Sequence, residues 1–117
     1  MTAVSARGFK RRSFAARRIV GIDPGTVVTG WGVIEAAGNR LTHLAHGIIT
    51  TNGALGQGER LARIYRGIRE VIEAYQPHGI SLEKVFFARN AQSALKLGQA
   101  RGVALLAGAE NHLEIFE

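Results

Sequence analysis

Ile19-Val20-Gly21-Ile22-Asp23-Pro24-Gly25-Thr26 is a short apolar run that ends on a carboxylate and breaks into a Pro-Gly turn. Such a run reads as a buried strand, with Asp23 at its end and Pro24 presetting φ for the turn. Gly25 is expected to take a positive φ there. From Thr29 to Glu35 the residues alternate, with Trp31, Val33 and Glu35 on one face and Gly30, Gly32 and Ile34 on the other, which predicts a second strand. Gly38-Asn39 is a hairpin signal. Leu41–Thr50 then completes an antiparallel meander of three strands.

Asn52–Gly58 carries three glycines and reads as a loop. From Glu59 the apolar period becomes helical, through Leu61, Ile64, Tyr65, Ile68, Val71, Ile72 and Tyr75. Glu59/Arg63, Arg66/Glu70 and Arg69/Glu73 are spaced for ion pairs on a solvated face, and Pro77 ends the helix. Gly79–Glu83 has the character of a central strand flanked by helices. Asn90 is placed to cap a second helix from Ala91 to about Asn111. Ala94, Gly98 and Gly102 fall four apart on that helix. Glycine there costs roughly 1 kcal/mol against alanine, so the stripe implies a closely packed neighbour, either the sheet or a second subunit. Leu113–Glu117 begins a fifth strand. The order β-β-β-α-β-α-β predicts an α/β domain whose mixed sheet has right-handed crossovers.

The 117 residues are at most one domain. The net charge of +6 is carried entirely by residues 1–18, which hold six basic side chains and no acid; the remainder is balanced. Residues 1–18 are therefore read as a basic, disordered leader, and 19–117 as the folded domain. The leader suits a polybasic arm, an organellar transit peptide or a start codon assigned too early. The absence of cysteine excludes disulfides and thiolate metal sites. No apolar run approaches the length of a membrane span, and a cytoplasmic setting is expected.

Ser81-Leu82-Glu83 repeats the first arrangement, a short strand ending on an acid. If the two strands are neighbours, Asp23 and Glu83 face each other across one sheet edge. Magnesium takes hard oxygen ligands, and one or two carboxylates plus a substrate phosphate hold it. The pair thus points to metal-dependent phosphodiester chemistry. Against this, Asp-Pro-Gly also reads as a plain turn in which Asp23 bonds back to its own backbone, and Glu83 as an exposed strand-end acid. His43, His46, His78 and His112 form no ligand pattern. His43 and His46, three apart, are expected on opposite strand faces. Of Phe86 and Phe87, either one lies in the core and the other at the edge of the site, against bases, or both lie in the core.

Gly21-Ile22-Asp23-Pro24-Gly25, Thr29–Ile34, Glu83-Lys84-Val85-Phe86, Asn90 and Ser93–Gly102 together resemble RuvC, the bacterial resolvase of four-way (Holliday) DNA junctions. The resemblance runs from about Ile19 to Phe116, and the Ser93–Gly102 run is its most specific part. It implies a ribonuclease-H-like mixed sheet and a homodimer that nicks junction DNA in pairs with Mg2+ or Mn2+. It also implies Asp23 and Glu83 as catalytic metal ligands, Phe86 and neighbouring Arg89 at the DNA, and Ala94, Gly98 and Gly102 in the dimer interface. A branch-migration helicase complex is the further partner implied.

The family's other two metal-binding positions lie on a later helix, beyond Glu117. The chain is therefore expected to be the N-terminal part of a resolvase, with little or no turnover. The alternative is a non-catalytic remnant that binds DNA or dimerises. A sugar-kinase or actin-like nucleotide binder also opens Gly-Ile-Asp-x-Gly-Thr, but it needs a second phosphate loop and has no place for Ser93–Gly102.

Overall fold

The computed structural model describes residues 15–83 and 89–117. Strand β1 (Arg17–Asp23) lies at the centre of a five-stranded sheet. It pairs antiparallel with β2 (Val28–Ala37), which pairs antiparallel with β3 (Arg40–Thr50). Helix α1 (Gln57–Tyr75) crosses to β4 (Gly79–Leu82), parallel to β1, and helix α2 (Ala91–Glu110) crosses to β5 (Glu114–Phe116), parallel to β4. The sheet order is β3-β2-β1-β4-β5.

Strand β1 starts two residues before the expected leader boundary. Arg18 explains the extension: its Nε donates to Glu35 Oε2 (3.0 Å) and its Nη1 to the Tyr75 carbonyl (2.8 Å). Arg17 pairs with Glu114. Two of the basic residues assigned to the leader therefore knit the meander to β5 and to the end of α1.

Both helices pack on one face of the sheet. Val20, Ile22, Val33, Ile80 and Leu82 point into that layer and meet Ile64, Ile68, Val71 and Ile72 from α1. From α2 come Ala100, Ala104 and Ala107, all fully buried. A side chain of Val or Ile size contributes about 1.5–3 kcal/mol when taken out of water, so this single layer carries most of the stability. Among the described residues nothing covers the opposite face, where Ile19, Gly21, Gly32, Ile34, Ser81 and Phe116 line a shallow apolar depression.

Several local expectations are corrected. Gly25 does not adopt a positive φ; it is needed because a Cβ there would lie 2.2 Å from the Val28 carbonyl oxygen. Of the three expected ion pairs on α1, Arg69–Glu73 forms (3.6 Å), whereas Arg63 turns away from Glu59 to donate to the Thr50 carbonyl (2.6 Å). No Arg66–Glu70 pair is present among the described residues. The αL turn sits at Gly38 in the β2–β3 hairpin, as its sequence suggests. Asn90 caps α2 by accepting from the Ser93 amide (2.9 Å).

The small residues of α2 divide between two faces. Gly108 is the contact with the sheet, since a Cβ there would fall 2.7 Å from Ile80 Cγ2. Ala94, Gly98 and Gly102 are exposed, and apart from the adjoining helix backbone no described atom lies within 4 Å of a Cβ built on either glycine. Gly108→Ala is expected to destabilise by about 1–3 kcal/mol despite alanine's better helix propensity, because Ile80 is pinned in the core. Gly98→Ala and Gly102→Ala should each stabilise the monomer by up to about 1 kcal/mol. Urea unfolding of the three variants checks both signs.

Candidate metal and junction site

Asp23 and Glu83 come together through strand register. Ile22 pairs with Leu82 in the parallel β1–β4 ladder, so the next residue on each strand leaves the sheet at the same edge. Adjacent strands run about 4.8 Å apart. Residues that alternate with Val20 and Ile22 face away from the helices, and Asp23 and Glu83 both belong to that set. They line one open depression of about 270 Å³ with Gly21, Gly30, Trp31, Gly32 and Ser81. Three of those neighbours are glycines, so the floor beside the acids is backbone.

The turn after Asp23 is not held by its own carboxylate. Thr29, fully buried, does that work: its hydroxyl donates to the Gly25 carbonyl (2.8 Å) and accepts from the Gly25 amide (3.2 Å). Arg60 adds a bond from Nη2 to the Thr26 carbonyl (3.1 Å). Thr51 also donates to that carbonyl. On the other strand, Arg101 Nε donates to the Glu83 carbonyl (3.0 Å), fixing the backbone that carries the second acid, and its guanidinium also pairs with Glu117. Nothing local in the sequence marks Arg60 or Arg101, because each guanidinium braces its loop from a distant element, whereas Thr29 acts on Gly25 only four residues away.

Neither the Asp23 nor the Glu83 carboxylate has a described side-chain or backbone donor. Two like charges at one edge, each without a partner among the described residues, form a hard-oxygen donor set suited to a divalent cation. No group of three or more His, Cys, Asp or Glu side chains gathers anywhere among the described residues. The two acids thus fit part of a metal site. Phe86 lies outside the described residues. Arg89 is described and exposed, just ahead of Asn90 at the start of α2.

The family model for the crossover junction endodeoxyribonuclease RuvC matches residues 19–117. The chain belongs to the RuvC family. A RuvC from Geotalea uraniireducens is 53% identical over 100 residues, covering 86% of this chain and 58% of that protein. One from Pseudomonas syringae pv. syringae is 56% identical over 99 residues, covering 85% and 56%. The chain therefore spans a little over half the length of these curated relatives. The structure of Thermus thermophilus RuvC in complex with a Holliday junction substrate superposes with a TM-score of 0.75 at 29% identity, covering 85% of this chain and 62% of that one. The shared architecture is the ribonuclease-H-like α/β fold of RuvC.

Repulsion between the two acids predicts that Asp23→Asn and Glu83→Gln leave stability in metal-free buffer unchanged or raise it, by no more than about 1 kcal/mol. Thermal melts with a chelator present check this. A structural acid, by contrast, would lower the Tm when neutralised.

Proposed function

We propose that the chain forms the N-terminal, acid-bearing part of a junction-resolving endonuclease, in which Asp23 and Glu83 hold Mg2+ or Mn2+ against a DNA phosphate. The observation that carries this reading is their position on adjacent strand ends in one depression, in a chain of the RuvC family. When bound, the ion supplies positive charge to the phosphate undergoing cleavage. The chain's own residues set the geometry: Thr29 fixes the turn behind Asp23, Arg101 fixes the backbone at Glu83, and the glycine floor lets a phosphodiester backbone come close. Phe86 and Arg89, which follow Glu83 in the chain, are assigned to the DNA, where phosphate contacts make binding salt-dependent.

With two carboxylates rather than a full two-metal set, binding is separable from turnover. The 117-residue chain is expected to shift a synthetic four-way junction in a gel, less so as salt rises, and to show negligible nicking in Mg2+. Asp23→Asn should retain the shift while abolishing Mn2+ binding followed by electron spin resonance. Rapid magnesium-dependent nicking would overturn the separation of binding from turnover, and loss of all junction binding would overturn the assignment to DNA.

A homodimer through α2 is part of the same reading. Its support is the exposed stripe of Ala94, Gly98 and Gly102, flanked by Leu95 and Leu106 at 62% and 51% exposure. Two equivalent cleavage points on a four-way junction suit a two-fold dimer. Gly98→Ala with Gly102→Ala is expected to weaken self-association by at least about tenfold in sedimentation equilibrium, while the fold stays intact. Unchanged association would place the interface elsewhere.

A further inference from the structure

The structure overturns the expectation that His43 and His46 lie on opposite faces of β3. Val33 pairs with Ala45 but Ile34 pairs with His43, so the ladder shifts and Leu44 is left as the extra residue of a bulge. A bulge sets two residues of one strand against one of its partner and resets the alternation beyond it. His43 is thereby opposite Ile34 and His46 opposite Gly32, both on the face that the helices leave uncovered. Their rings meet: His43 Nε2 lies 3.0 Å from His46 Nδ1, with ring centroids 5.0 Å apart and planes tilted by 45°.

In the neutral pair one ring N–H donates to the bare nitrogen of the other. The same separation is close to what a shared metal ion requires. Zinc binds imidazole nitrogen at about 2.0–2.1 Å, which puts two ligands of a tetrahedral ion about 3.3 Å apart. To chelate, the donor nitrogen gives up its proton, to its own ring's other nitrogen or to solvent, and the two exposed rings turn and open by a few tenths of an ångström so that both lone pairs converge on the ion. We propose that His43 and His46 form a two-imidazole site for a borderline divalent ion, with zinc as the type case. Imidazole favours zinc, copper and nickel, whereas magnesium prefers oxygen. No third His, Cys, Asp or Glu among the described residues joins them, so the remaining positions on the ion fall to water or to an incoming donor.

This site is separate from the acidic pair. Strand β2 lies between β1 and β3, so two inter-strand spacings, about 10 Å, part the histidines from β1. Asp23 pairs with Gly30, two residues along β2 from the Gly32 that faces His46. One ion does not bridge both. The proposal therefore stands whether or not the acids hold magnesium.

The test is a zinc titration of the 117-residue chain in excess magnesium, by calorimetry and by imidazole 1H–15N spectra. One equivalent of zinc is expected to bind, perturbing the His43 and His46 rings first. His78 Nδ1 already accepts the Arg18 amide (3.0 Å), which makes it a poor competitor. His43→Ala and His46→Ala should each weaken binding by at least about tenfold, while Asp23→Asn leaves it unchanged. Both substitutions fall at exposed positions of an edge strand, and the spectra of the unaltered chain read the site without them. No zinc binding, earlier perturbation of His78 or His112, or affinity that survives both substitutions would overturn the proposal.

Discussion

The parallel ladder between β1 and β4 is the contact on which the rest depends. Ile19 to Ile22 pair with Gly79 to Leu82, and this register does three things at once. It joins the antiparallel meander to the crossover half of the sheet. It buries Val20, Ile22, Ile80 and Leu82 on one side, beneath the helices. It brings Asp23 and Glu83 out at one edge. A slip of one residue would turn the apolar set outward and drive the acids toward the core, so the hydrophobic pattern that stabilises the sheet also aims the carboxylates. Substrate affinity need not enter into that placement; packing suffices.

Much of this was legible in the chain. The alternation from Thr29 to Glu35, the Gly38-Asn39 turn, the apolar stripe from Leu61 to Tyr75 and the Asn90 cap are all set by neighbours within a few residues, and each appears where the pattern put it. The acids themselves were legible as strand ends. What escaped depends on distant partners. The Leu44 bulge has no glycine or proline to announce it, and it shows only in how β3 pairs with β2. Arg63 was spaced for Glu59 but found a carbonyl on β3 instead. The stripe of small residues on α2 was visible, but not which of its two small faces meets the sheet. That depends on where Ile80 places its methyl groups.

The two faces of the sheet differ sharply. One is sealed by α1 and α2; the other leaves Ile34 and Phe116 at 36% and 39% exposure beside a row of glycines. Sheets built with parallel strands are generally covered on both sides. The open side holds the acidic pair at the ends of β1 and β4, the histidine pair on the edge strand β3, and an apolar depression beside them. The side chains proposed to hold metal ions therefore lie on the face that does not build the core, where a substitution has little effect on folding.

The distance along the chain between Asp23 and Glu83 also governs when the acidic pair comes into existence. The meander that presents Asp23 is made of contacts between sequence neighbours and can close early, even while later residues are still being synthesised. Glu83 arrives only after α1 has been laid across the sheet and β4 has docked against β1. Loop closure over that span is slow compared with hairpin formation. During synthesis, a chain that has emerged only as far as Thr50 carries Asp23 without Glu83. On the proposed reading, a cation that needs both carboxylates has its binding place once β4 has docked against β1, before α2 and β5 have completed the sheet.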